Sequence, residues 1–229
     1  MSQKLSRPAE LGRYSIPEAA RYLRIPSATL RSWVVGRKYP AADGLHTFRP
    51  IIHIADGRQR LLSFENLIEA HVLSALRGTH KVSVKDIRTA IRYVERDLGI
   101  SRLLLSPALK TAGAQLFVER YGELINVAQS GQLAMRAVLA GYLERVTWED
   151  ERLAAFYPFI GRPGLSDAKP VLISPDLAFG KPVVARRCIA TAVITDRFDA
   201  GESIAELAAD YDLEAAEIEA AIIYEQQAA

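Results

Sequence analysis

The chain has 229 residues, 49% of them apolar, enough for one large or two small cored domains, and its formal charge is only +2. A single cysteine, Cys188, excludes an intrachain disulfide and a cysteine-cluster metal site. The opening MSQKLSRPAELGRYS lacks the apolar core of a signal peptide, and no apolar run reaches a membrane span, so a cytoplasmic location is expected.

The small net charge conceals two opposed ends. Residues 1–62 carry eleven basic against four acidic side chains, whereas residues 190–229 carry ten acidic side chains and Arg197 alone as a base. A basic end can exchange phosphate counterions, while an acidic end is repelled by DNA and suits a protein partner or self-association.

Residues 14–38, YSIPEAARYLRIPSATLRSWVVGRK, read as two short helices joined by a tight turn. Ile16, Ala19, Ala20 and Leu23 recur at helical spacing behind Pro17, a residue tolerated in a first turn. Pro26 breaks that helix, and Ser27 is expected to cap the next one by accepting from Thr29 or Leu30. Leu30, Trp33 and Val34 then face inward, which leaves Ala28, Thr29, Arg31 and Ser32 outward for a major groove. A wing is expected from residues 51–55 and 58–62 around Asp56-Gly57, with Arg58 and Arg60 beside the turn for phosphates. Residues 39–50 read as a long link before it. Ser63 caps a helix that ends at Gly78. The candidate DNA contacts are Tyr14, Ser27, Ala28, Thr29, Arg31, Ser32, Arg37, Lys38, Arg58 and Arg60. The spelling TLRSWVVGR resembles the recognition helix of the MerR family of bacterial transcription regulators, which implies a winged helix-turn-helix.

Ser83 is expected to cap a further amphipathic helix ended by Gly99, striped by Ile87, Ile91, Val94 and Leu98. Residues 115–118 and 123–127 read as a hairpin, and residues 129–145 as another helix. This middle stretch fits a sensing module, a toxin-binding module or a spacer.

From Val171 the chain carries Ile173, Pro175, Gly180, Lys181, Pro182, Val183 and Val184, then Gly201, Ser203, Leu207, Asp210 and Tyr211, then Ile218, Ala221, Ile222 and Tyr224. Residues 171–173 and 182–184 can pair as a ribbon, and residues 191–200, 203–211 and 214–226 read as three helices. The pattern is similar to a small bacterial domain found in antitoxins. It departs at Arg186-Arg187-Cys188 and Ala190, so no role attached to those positions carries over. Ile204, Leu207, Ile218 and Ile222 are expected to form a core or a homodimer seam, and the seam is the assignment made.

A basic winged reader joined to this acidic domain resembles the VapB-type antitoxins of type II toxin-antitoxin systems. That resemblance implies a PIN-domain ribonuclease toxin as partner, operator DNA as a second, and a homodimer. Arg162, in residues 159–168, is the candidate toxin contact. The expected fold is mainly α with small β hairpins (α+β). Residues 1–80 form the winged helix-turn-helix, residues 81–165 a middle helix/hairpin module and linker, and residues 166–229 a ribbon with a three-helix bundle. The alternative is a MerR-like effector-responsive regulator without a toxin. No enzyme, cofactor or metal is expected: His46, His53, His71 and His80 lack metal-ligand spacing, and no nucleophile triad is present.

Overall fold

The computed structural model describes residues 7–41, 44–78, 84–124, 129–160 and 168–226. The fold is mainly α with small antiparallel hairpins, as the sequence implies. Ser83, His80 and Arg162 lie outside the described residues.

Helix α1 (Ile16–Leu23) begins with a capping box: Ser15 and Glu18 exchange backbone and side-chain hydrogen bonds. Arg24 ends it in a left-handed conformation, φ 54°. Helix α2 (Ser27–Val34) starts one residue earlier than expected. Ser27 is already its first helical residue, and the Pro26 carbonyl, not the Ser27 hydroxyl, receives the amides of Thr29 and Leu30. Leu30, Trp33 and Val34 are buried as their spacing requires.

The wing stands elsewhere. Strands β1 (Arg37–Ala41) and β2 (Gly44–Phe48) pair from Arg37↔Phe48 to Ala41↔Gly44, so the hairpin is built from the supposed link. Residues 51–55 do not pair with residues 58–62. The amides of Ile51 and Ile52 are taken by the Trp33 carbonyl, Ala55 donates to Asn66, and the Asn66 amide donates to the His53 carbonyl. Only Asp56 and Leu61 bridge, around a turn in which the Asp56 carboxylate receives the amides of Arg58 and Gln59. Leu62 continues onto Tyr14.

Helix α3 (Phe64–Gly78) follows, its first turn closed by reciprocal bonds between Ser63 and Asn66. Helix α4 (Val84–Leu98) buries Ile87, Ala90, Ile91 and Val94. Where a hairpin was expected over residues 115–127, residues 115–124 belong to a helix instead, α5 (Ala112–Leu124), in which Phe117 and Tyr121 stack one turn apart and Gln115 donates to Glu119 at helical spacing; residues 125–127 lie outside the described residues. Helix α6 (Gln129–Leu143) packs on α3 and α5. A hairpin not foreseen follows, β3 (Val146–Glu149) with β4 (Arg152–Phe156), turning on Asp150 and Glu151, both at positive φ.

Strands β5 (Val171–Leu172) and β6 (Val183–Val184) pair as expected, and β7 (Ile189–Ala190) adds a third. Helices α7 (Thr191–Asp199), α8 (Ile204–Tyr211) and α9 (Ala215–Gln226) complete the chain. The assigned dimer seam is not a surface. Leu207, Ile218 and Ile222 are buried within the chain, together with Val184, Ile194 and Leu213, and Ile204 packs against them.

Beside that smaller cluster, one continuous apolar core extends from Tyr14 through α3 to Ile173 and Tyr224. The Tyr14 hydroxyl donates to the Gly180 carbonyl at 3.0 Å, the Tyr224 hydroxyl donates to the Tyr22 carbonyl, and Arg21 pairs with Glu225 at 2.5 Å. Gly180 sits at φ 81°, and a Cβ there would collide with the Tyr14 hydroxyl. Tyr14, expected at the DNA surface, is therefore a core residue, 1% exposed, whose pKa burial raises far above its ordinary value.

Candidate nucleic-acid interface

The chain leaves α2 through Gly36 at φ 82°, where a Cβ would run into the Phe48 carbonyl. That close approach seats the β1–β2 hairpin directly against the end of α2. On α2, Ser27, Ala28 and Arg31 are exposed, while Thr29 and Ser32 are half-buried, and the Ser32 hydroxyl is occupied by the Thr29 carbonyl at 2.7 Å. On the hairpin, Arg37 and Lys38 are exposed on successive residues and so point to opposite faces. Exposed Tyr39 meets His46 across the ladder, ring centroids 5.8 Å apart, and Leu45 near the tip is 67% exposed.

Electrostatics separate two groups of cations. Arg13 donates to the Pro175 carbonyl, Arg21 is paired with Glu225, and Arg24 stacks over the Tyr224 ring, so these three meet the C-terminal segment. Burial raises the Glu18 carboxyl, but hydrogen bonds from Lys181 and Tyr22 outweigh it and leave the group below its usual range. In contrast, Arg31, Arg37, Lys38, Arg58 and Arg60 take no carboxylate partner among the described residues. Unpaired cations at a helix and an adjoining hairpin are what a phosphate backbone requires. Arg58 and Arg60 are exposed, but their turn is held by Leu62 against Arg13 and Tyr14 ahead of α1, apart from the hairpin ladder.

Three arginines at the hairpin base were not singled out by the sequence. Arg88 of α4 donates to the carbonyls of Arg49 (2.5 Å) and Pro50 (3.3 Å), with its guanidinium 5.4 Å from the Phe48 ring centroid. Burial, then Arg92 and Arg49, lower its pKa, so three positive groups converge there. Arg88 and Arg92 lie four apart on α4, a spacing that reads equally as a solvated face.

From residue 186 to residue 226 the arginines are paired: Arg186 with Glu217, Arg187 with Asp212, and Arg197 with Glu202 and Asp210. Among the described residues no group of His, Cys, Asp and Glu could hold a metal, and no helix is long and apolar enough to cross a membrane.

Residues 12–91 match a family model described as "Putative DNA-binding HTH domain", and residues 171–224 match one described as "Protein of unknown function (DUF433)". Over 227 residues, 91% of this chain and 92% of the relative, the sequence is 30% identical to "Putative antitoxin VapB45" of Mycobacterium tuberculosis (strain ATCC 25618 / H37Rv). The chain belongs to the VapB-type antitoxin family. A second relative of this VapB-type chain, the protein Rv2308 of the same strain, is 25% identical over 92% of the chain and 89% of its own length. The crystal structure of Rv2018 from Mycobacterium tuberculosis shares the fold, with TM-score 0.68 and 22% identity, covering 93% of this chain and 98% of that one. The fold shared with that structure covers 93% of this chain, more than the residues 12–91 and 171–224 that the two family models match.

Proposed function

We propose that the protein is an antitoxin that binds and disables a PIN-domain ribonuclease and represses its own operon by holding operator DNA. The observation that carries the DNA half is the set of cations on α2 and the β1–β2 hairpin that take no carboxylate partner among the described residues. In this reading Arg31, with Ser27, Ala28, Thr29 and Ser32, faces the major groove, and Arg37, Lys38, Arg58 and Arg60 contact phosphates. The matched helix-turn-helix model supports it. The toxin half is supported by the name of the 30% identical relative, and Arg162 is the proposed toxin contact. Two copies would mirror a palindromic operator, through a surface other than the buried apolar positions of α8 and α9.

The test is co-expression with the product of the neighbouring gene and purification through a tag on this chain alone. A stable pair whose ribonuclease activity appears only after separation is the expected result, together with retention of the chain's own promoter fragment. Recovery of the chain alone, with promoter binding intact, would replace the antitoxin by a regulator without a toxin.

A further inference from the structure

A cleft of about 440 Å³ opens where the α1–α2 turn meets α3, α6 and the residues after β4. Its aromatic part is built around His71, whose ring centroid lies 4.7 Å from Tyr142 and 4.6 Å from Phe156, with Phe159 a further 4.8 Å from Tyr142. The His71 Nε2 lies 3.0 Å from the Tyr142 carbonyl oxygen, which can only accept, so Nε2 carries the proton. Burial pushes the His71 pKa down to about 4, and the ring is neutral at physiological pH.

The charge in the wall is of one sign. Arg24 and Arg77 line the cleft, and no aspartate or glutamate does so among the described residues. Arg77 is exposed, takes no carboxylate partner among the described residues, and stands 6.0 Å from the Trp33 ring centroid. The buried Nε1–H of Trp33, in the same wall, has no acceptor among the described residues. Aromatic surfaces, a spare guanidinium and a donor lacking an acceptor together describe the complement of a flat, negatively charged molecule, and the volume falls in the range of small-molecule sites.

We propose that this cleft binds a small planar aromatic anion, a mono- or bicyclic carboxylate or sulfonate, with Arg77 holding the acidic group and Tyr142 and Phe159 the rings. The proposal goes beyond the antitoxin reading and does not depend on it. Because Pro26 and Trp33, with half-buried Thr29 at the rim, form one side of the cleft, an occupant touches the helix proposed to read DNA.

The probe is 2-naphthoate, titrated calorimetrically into the full chain, with neutral 2-naphthamide in parallel. Saturable one-to-one binding of the acid, much weaker binding of the amide, and at least about a tenfold loss in Arg77→Ala are expected, the size of one charge-assisted hydrogen bond. Arg77 is at the surface, so circular dichroism should report an unchanged fold in that variant. A second check uses Trp148→Phe, which leaves Trp33 as the sole indole; its fluorescence should respond to the acid with the same saturation curve. Absence of saturable naphthoate binding, equal binding of acid and amide, or full affinity in Arg77→Ala would each overturn the assignment.

Discussion

Arg31 is exposed on α2 and takes no carboxylate partner among the described residues, which leaves its long side chain free to reach a base edge. Arg31→Ala is expected to weaken operator binding by about 1–3 kcal/mol and to relax preference at one base pair. Fluorescence anisotropy across a set of single-base operator variants measures both, and a uniform loss with a shallower salt slope would make Arg31 a phosphate contact. His71 yields a pH prediction. Its folded pKa of about 4 lies below the unfolded value of 6.5, so between those limits the unfolded chain binds the extra proton. Stability should therefore fall as pH drops from about 6.5 to about 4, with about 3 kcal/mol at stake from this group. His71→Gln, which keeps an N–H for the Tyr142 carbonyl, should show a flatter urea-denaturation profile over that window than the unsubstituted chain. At this scale the sequence was most readable where one helix decides a residue's neighbours: Leu30 and Trp33 are buried because they share a face of α2. Tyr14 was misread because its hydroxyl partner, the Gly180 carbonyl, is 166 positions away, and no local pattern encodes that.

Among elements, the helices with strong apolar stripes and the β5–β6 ribbon were legible, and the β1–β2 and β3–β4 hairpins were not. Asp56-Gly57 carries a strong turn signal, and the Asp56 side chain does form the turn, yet the backbone of residues 51–55 is claimed by Trp33 and Asn66 before it can pair. The true wing contains Pro40 and few apolar residues because both its faces meet solvent, so it lacks the alternation by which a half-buried strand is recognised. The turn at Asp150-Glu151 uses positive φ without glycine or asparagine, removing the usual cue for β3–β4. The hairpin's placement depends on Gly36 and Arg88. Gly36→Ala should cost at least about 1–2 kcal/mol from left-handed backbone strain alone, read as a lower melting temperature. Arg88→Ala frees the Arg49 and Pro50 carbonyls, so hydrogen exchange in β2 should quicken while α3 stays protected.

On the scale of the whole molecule, the acidic C-terminal segment is docked onto α1 rather than held apart from it. The Glu225 side chain is only 9% exposed and receives both Arg21 and the Thr191 hydroxyl. Arg21→Ala leaves that carboxylate partly uncompensated and should destabilise the chain by about 2 kcal/mol. Because one core includes both Tyr14 and Tyr224, calorimetry is expected to show a single unfolding transition; separate melting of the two ends would contradict it. The opposed charges were visible in the sequence, but they read as two ends facing different partners, whereas part of each neutralises the other.

The Tyr224 and Glu225 contacts with α1 also set an order in time. These residues are synthesised 202 and 204 positions after Tyr22 and Arg21, the residues of α1 that they contact. The helix-turn-helix head is therefore completed only after α9 has been made, and a protease that removes α9 removes a wall of that head with it.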